Sequence, residues 1–153
     1  MFGGSAREYV PERGQYYLHL FAKEQPDLSW ENPVARKAIY EMAIEYWLKK
    51  GADGFRADVV NLYSKDISFP DKRILEPDAE TQIPFAHCLN GPRIHKFLKE
   101  IQRDVLDMYG EDVMMVGGCF MTEQGEILRH MPMGRKGLNM IFDFCYGVDR
   151  DGV

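Results

Sequence analysis

Cysteine is scarce in this chain: three residues, Cys88, Cys119 and Cys145, an odd number and widely spread among 153 positions. That pattern speaks against a disulfide framework and shows no metal-ligand spacing, so the expectation is reduced thiols in a cytoplasmic protein. Positive charge is also in short supply, with 19 Lys and Arg against 24 Asp and Glu and a net charge of −5. No basic field exists to hold a phosphate backbone, which argues against nucleic acid as a partner. No apolar run approaches the length of a membrane span, and residues 1–10 lack a basic segment followed by an apolar one, so neither membrane nor leader is expected. Repeats and low-complexity segments are absent.

What is present is a globular composition, 45% hydrophobic and 28% charged, sufficient for one core or for part of one. The informative stretch is Gly54-Phe55-Arg56-Ala57-Asp58-Val59-Val60-Asn61. Its alternation, bounded by Gly54 and by polar residues after Asn61, predicts a buried parallel strand. Residues two apart on a strand share a face, so Arg56 can pair with Asp58 and keep its carboxylate ionised. An oriented anionic Asp at the C-terminal end of a parallel strand has the chemistry of a nucleophile in a sugar-transferring barrel. By itself an Arg-x-Asp pair on a strand is more often a structural ion pair.

Along the chain, Met1–Gly14 reads as loop and Tyr16–Phe21 as a strand. Asn32 followed by Pro33 predicts a helix start, since Asn caps and Pro fits the first helical position. Val34, Ala38, Met42, Ile44, Tyr46, Trp47 and Leu48 then form an apolar stripe, ended by Lys49-Lys50-Gly51. Asn61–Asn90 is a long irregular connection, read either as a binding loop or as a solvated insertion. A second helix runs from Pro92, with Ile94, Phe97, Leu98, Ile101, Val105, Leu106 and Met108 on its apolar side. Val113–Val116 and Leu138–Phe144 read as strands buried on both faces, with a helix around Glu123–His130 between them. Helices alternating with buried strands make the fold class α/β with a parallel sheet.

Several segments in order carry a resemblance: Phe2-Gly3-Gly4-Ser5-Ala6, Tyr16–Phe21, Gln25-Pro26-Asp27-Leu28-Ser29-Trp30-Glu31-Asn32-Pro33, Gly54–Asn61, Gly91-Pro92-Arg93-Ile94-His95 and Leu138-Asn139-Met140. In these the chain resembles glycoside hydrolase family 13, in its oligo-1,6-glucosidase and α-glucosidase branch. The resemblance implies a partial (β/α)8 TIM barrel of about three parallel strands with flanking helices. Residues 1–32 would be the exit of an inserted subdomain and a connecting loop, and 33–153 the partial barrel. Asp58 would be the nucleophile of a retaining mechanism and Arg56 its substrate-side orienting partner. Val59 would tilt linkage preference toward α-1,6, although a β-branched residue is favoured in any strand.

Retention needs a second carboxyl, and the family's Val-Gly-Glu aligns with Val116-Gly117-Gly118, so Gly118 stands at the acid/base position. Glu123, Glu126 and Asp143 are the nearest carboxyls in sequence and poor substitutes. The family's Asp-x-x-x-Asn-His segment and its His-Asp pair are not found in these 153 residues, so the strands cannot close a barrel by themselves. The expected ligand is an α-glucoside or oligosaccharide, with no cofactor and no metal, and a complementary barrel fragment is a candidate partner. Low independent activity is expected, and a non-catalytic remnant with a partial sugar-binding face is the alternative. His95 reads as a packed helix residue and Cys119 as a buried, inert thiol.

Overall fold

The computed structural model describes residues 4–70, 77, 85–134 and 137–143. Much of the Asn61–Asn90 connection, together with Phe2, Gly3, Phe144 and Cys145, therefore lies outside the described residues.

The chain opens with a hairpin, β1 (Arg7–Val10) antiparallel to β2 (Gln15–Leu18), with Tyr9 directly opposite Tyr16. The loop reading of the first fourteen residues is thus corrected, because Arg-Glu-Tyr-Val carries little strand signal of its own and becomes a strand only by pairing with β2. The turn closes through the Arg13 and Gly14 amides, both donating to the Val10 carbonyl, and Gly14 takes the left-handed φ of +62° that the turn requires.

The first helix begins as expected. Asn32 Oδ1 accepts the Val34 amide at 2.9 Å, and Pro33 occupies the first helical position of α1 (Pro33–Ile39). The helix runs on through a π-helical segment, Tyr40–Glu45, into α2 (Tyr46–Leu48). Its buried face matches the expected apolar stripe only at Leu48 and, in part, at Ile44, which packs against the core. Val34 and Met42 are each 75% exposed, and Tyr46 and Trp47 are exposed as well, whereas Arg36, Tyr40 and Leu48 are buried. The guanidinium of Arg36 explains the rotation, since it reaches Glu100 Oε1 at 2.8 Å and the Trp30 carbonyl at 2.7 Å and lies over the Phe97 ring. Turning Val34 and Met42 inward would strip that cation of its partners, and an unpaired buried charge outweighs the burial of two aliphatic side chains.

Beyond β3 (Gly54–Ala57) come a 3₁₀ turn (Val60–Leu62), α3 (Phe85–Cys88), α4 (Ile94–Asp104), a second 3₁₀ turn (Leu106–Tyr109), β4 (Met114–Cys119), α5 (Gln124–His130) and β5 (Met140–Asp143). The expected stripe of α4 is buried through Ile94, Phe97, Leu98 and Ile101 and continues in Val105 and Leu106, but Met108 is 73% exposed in the following turn. β3, β4 and β5 form a parallel sheet in that order, with Ala57 paired to Gly117 and Gly118 to Phe142.

Register divides this sheet into two unlike faces. Phe55, Ala57, Met115, Cys119 and Ile141 face the helices and join the core around Phe97, and a Cβ on Gly117 would meet Leu138 at 2.3 Å. Arg56, Val116, Gly118, Met140 and Phe142 share the opposite face, on which Met140 is 55% and Phe142 51% exposed. The expectation of strands buried on both faces is therefore corrected: among the described residues, only one face is covered. A barrel interior is filled by side chains pointing inward from opposite strands, which three strands do not supply.

Candidate active site

Asp58 is the first residue beyond the C-terminal end of β3, on the open face of the sheet. Arg56, two residues earlier, places Nη2 at 2.7 Å from Asp58 Oδ1, and the same oxygen accepts the Val59 amide at 3.1 Å. The pair is well exposed, with 46% of the Arg56 and 64% of the Asp58 side chain accessible. Exposed ion pairs contribute about 0–1 kcal/mol, so this one adds little to stability and mainly fixes the direction of the carboxylate. The sequence brought these two residues together correctly.

Val59 lies outside the strand, at φ 39° and ψ 44° in the left-handed region. A β-branched residue pays about 1–3 kcal/mol for such a conformation, so strand propensity does not explain its presence. The strained residue turns the chain sharply from the Asp58 strand into the Val60–Leu62 turn while its side chain packs against Leu20, Leu62 and Cys88.

Three supporting residues were not singled out from the sequence. Asn61 is fully buried; its Nδ2 donates to the Phe120 carbonyl and Thr122 Oγ1, and its Oδ1 accepts the Phe120 amide. It ties the segment after β3 to the turn after β4, and its position at the end of the Gly54–Asn61 run was the available signal. Tyr63 stacks on Trp30 with ring centroids 4.4 Å apart. Burial pushes its hydroxyl up to about 12, and the Asp58 charge adds to the shift. Lys65 pairs with Asp27 at 2.6 Å, joining the post-strand segment to the Gln25–Leu28 connection. Val59, Tyr63, Lys65, Asp27 and Trp30 line a cavity of about 300 Å³.

Gly118 lies on β4, the neighbouring strand, one step beyond the Ala57–Gly117 pair and on the same face as Asp58. Neighbouring strands run about 4.8 Å apart. A side chain at this position would therefore project close to the separation of about 5–5.5 Å that a retaining carboxyl pair requires. Glycine supplies none. Among the described residues, Glu126 pairs with Arg129 and lies 3.8 Å from His95, Glu123 is exposed ahead of α5, and the Asp143 backbone is in register with Cys119 rather than Gly118. His95 is half-buried, with its ring 4.8 Å from that of His130, and Cys119 is buried. Among the described residues no three His, Cys, Asp or Glu side chains are grouped as metal ligands would be.

Residues 1–150 match the family model described as "Alpha amylase, catalytic domain". The chain belongs to glycoside hydrolase family 13. Among its relatives, the oligo-1,6-glucosidase of Parageobacillus thermoglucosidasius is 45% identical over 146 residues, covering 94% of this chain and 25% of that protein. The alpha-glucosidase of Candida albicans is 46% identical over 143 residues, with the same coverage of 94% and 25%. The crystal structure of Bacillus licheniformis trehalose-6-phosphate hydrolase superposes with a TM-score of 0.81 at 43% identity, covering 94% of this chain and 24% of that one. The described parallel sheet is thus part of a family 13 (β/α)8 barrel, and the chain spans about a quarter of the length of the curated relatives it matches. Among the described residues no helix is long and apolar enough to cross a membrane.

Proposed function

We propose that this family 13 chain is the nucleophile-bearing section of a retaining α-glucosidase of the oligo-1,6-glucosidase and maltase type, acting on terminal α-glucosyl linkages. Asp58 attacks the anomeric carbon, Arg56 holds its carboxylate in position, and Val59 biases the site toward α-1,6 bonds. The observation that carries this reading is the Arg56–Asp58 pair at the mouth of β3, directed by a contact too exposed to be needed for folding. Residues 1–32 then form the exit of an inserted subdomain with its connecting loop, and 33–153 the barrel section. The remaining strands come from polypeptide outside this stretch, in the same protein or as a complementary fragment.

Gly118 at the acid/base position removes the proton donor for departing alcohols and the base that activates water. Loss of that assistance lowers rates by about 10²–10⁴, so the proposed chemistry is confined to substrates whose leaving group departs without a proton. The same glycine favours a second reading, a sugar-binding remnant without turnover.

The test is aryl α-glucoside hydrolysis by a monodisperse sample beside an Asp58→Asn control, combined with mass spectrometry after an activated fluorinated α-glucosyl donor. A glucosyl adduct on the Asp58 peptide that vanishes in the control is the expected result. A monodisperse protein that gives neither adduct nor aryl release belongs to the remnant reading.

A further inference from the structure

Two imidazoles meet where α4 and α5 come together, and neither takes part in the chemistry proposed for Asp58. His130, the last residue of α5, is fully buried, and its ring lies 4.8 Å from that of the half-buried His95 on α4. His130 Nε2 is 3.0 Å from Asn90 Oδ1, and an amide oxygen only accepts, so Nε2 carries the proton of the neutral ring. Nδ1 is then the bare nitrogen, buried without a hydrogen-bond partner among the described residues. This stretch of chain buries His130 by itself, and further polypeptide only deepens the burial.

From His130 a line of contacts leads to the residues that follow Asp58. The Asn90 amide donates to the Asn61 carbonyl at 2.8 Å, and the Asn61 side chain holds both the amide and the carbonyl of Phe120. A Cβ on Gly91 would run into the Ser64 carbonyl, and the Arg93 amide donates to Ser64 Oγ at 3.0 Å. Residues 90–93 therefore press directly on residues 61–64. We propose that His130 is a positioning residue: its neutral ring anchors Asn90, Asn90 and Asn61 hold the end of the Asp58 segment, and protonation of the ring releases the anchor. The inference rests on the reading of Asp58 as the nucleophile. A proton on Nδ1 would be a buried donor without an acceptor. The resulting cation faces His95 and Arg129, with Lys99 beside His95, and Glu126 supplies the opposing charge. Burial first, and then His95, holds the His130 pKa down to about 4. A ring turned out to solvent regains the usual value of about 6.5, so acid favours the released form by up to about tenfold per pH unit within that interval.

The experiment uses the full-length protein between pH 7 and 5, above the range near pH 4 in which carboxylates titrate. It follows the His130 ring by NMR, amide protection at Asn90 and Phe120 corrected for intrinsic exchange, and the rate of Asp58 labelling by the activated glucosyl donor. Expected is a loss of protection at both amides approaching about tenfold per pH unit below pH 6.5, absent from His130→Gln. Asn90→Gly, which suits the φ of +49° at that position, should leave the ring titrating while Phe120 protection stays flat. At pH 7, His130→Ala should slow labelling by about 10–100-fold, and His130→Gln, which keeps a donor for Asn90, should restore it. Phe120 protection that is flat with pH in the parent, or that falls equally in His130→Gln, overturns the inference. Circular dichroism checks each variant, and where one does not fold the parent's profile decides. Protection that follows pH, with no Asp58 adduct in any variant, removes the nucleophile assignment and keeps the link from His130 to Asn61. An adduct with flat protection does the reverse.

Discussion

Replacing Arg56 with Met separates a nucleophile-orienting pair from a structural one, because the two roles predict opposite effects on stability and on chemistry. The ion pair is short, 2.7 Å, yet 46% of the Arg56 and 64% of the Asp58 side chain is accessible. Pairs this exposed contribute about 0–1 kcal/mol to folding, so Arg56→Met should shift the urea midpoint by no more than that allows. The charge-assisted hydrogen bond is a different matter for reactivity. Such bonds are worth about 1.5–3 kcal/mol where they act, and each 1.4 kcal/mol corresponds to about tenfold in rate. Labelling of Asp58 by an activated glucosyl donor should therefore slow by about 10–100-fold, with the methionine filling similar volume. The assay is the rate of adduct formation by mass spectrometry, set beside a urea melt of the same preparation. A stability loss above about 2 kcal/mol with unchanged labelling would show a structural ion pair and refute the reasoning.

Glu100→Ala leaves the buried Arg36 guanidinium without its carboxylate and Tyr40 without its acceptor. It should destabilise by about 3–5 kcal/mol, while the double change Arg36→Met with Glu100→Leu recovers most of that loss; equal denaturation midpoints for the single and double variants would contradict this. His130 is buried between Asn90, whose Oδ1 lies 3.0 Å from His130 Nε2, and the half-buried His95, and burial with the neighbouring imidazole pushes its pKa down to about 4. Its folded pKa lies below the usual value of about 6.5, so the unfolded chain binds the extra proton first as pH falls. Stability should drop between pH 6.5 and 4, by up to about 1.4 kcal/mol per pH unit from this group, and level off below. His95 shifts in the same direction, chiefly through burial, with Arg129 and Lys99 also opposing its charge and Glu126 favouring it. A His130→Gln variant melted at pH 7, 5.5 and 4.5 should show a flatter profile, and a slope equal to the parent's would remove His130 as the cause.

Local signals were read correctly where local chemistry decides the outcome. Asn32 before Pro33 caps α1, because the side chain that caps and the amide it serves are two residues apart. Ile94, Phe97, Leu98 and Ile101 recur at helical spacing and are all buried, since α4 has one apolar side and a core to receive it. The Arg56–Asp58 pair follows from strand alternation alone. These elements, and the family to which the ordered motifs belong, were fixed by residues close together in the chain.

Other features depended on partners remote in sequence. The rotation of α1 departs from what apolar periodicity predicts, since that pattern favours Val34 and Met42 whereas Arg36 turns inward toward Glu100, 64 residues away. β1 exists only as the partner of β2, and Asn61 becomes a fastener only because the turn at Phe120 and Thr122, 59 and 61 residues further on, arrives beside it. Val59 takes a left-handed conformation that its own propensity opposes, so its conformation could not be read from residue type. Periodicity tells which residues of an element share a face, and capping tells where the element starts. Which face is covered, and what Gly118 leaves beside Asp58, are properties of the sheet register that tertiary pairing alone decides.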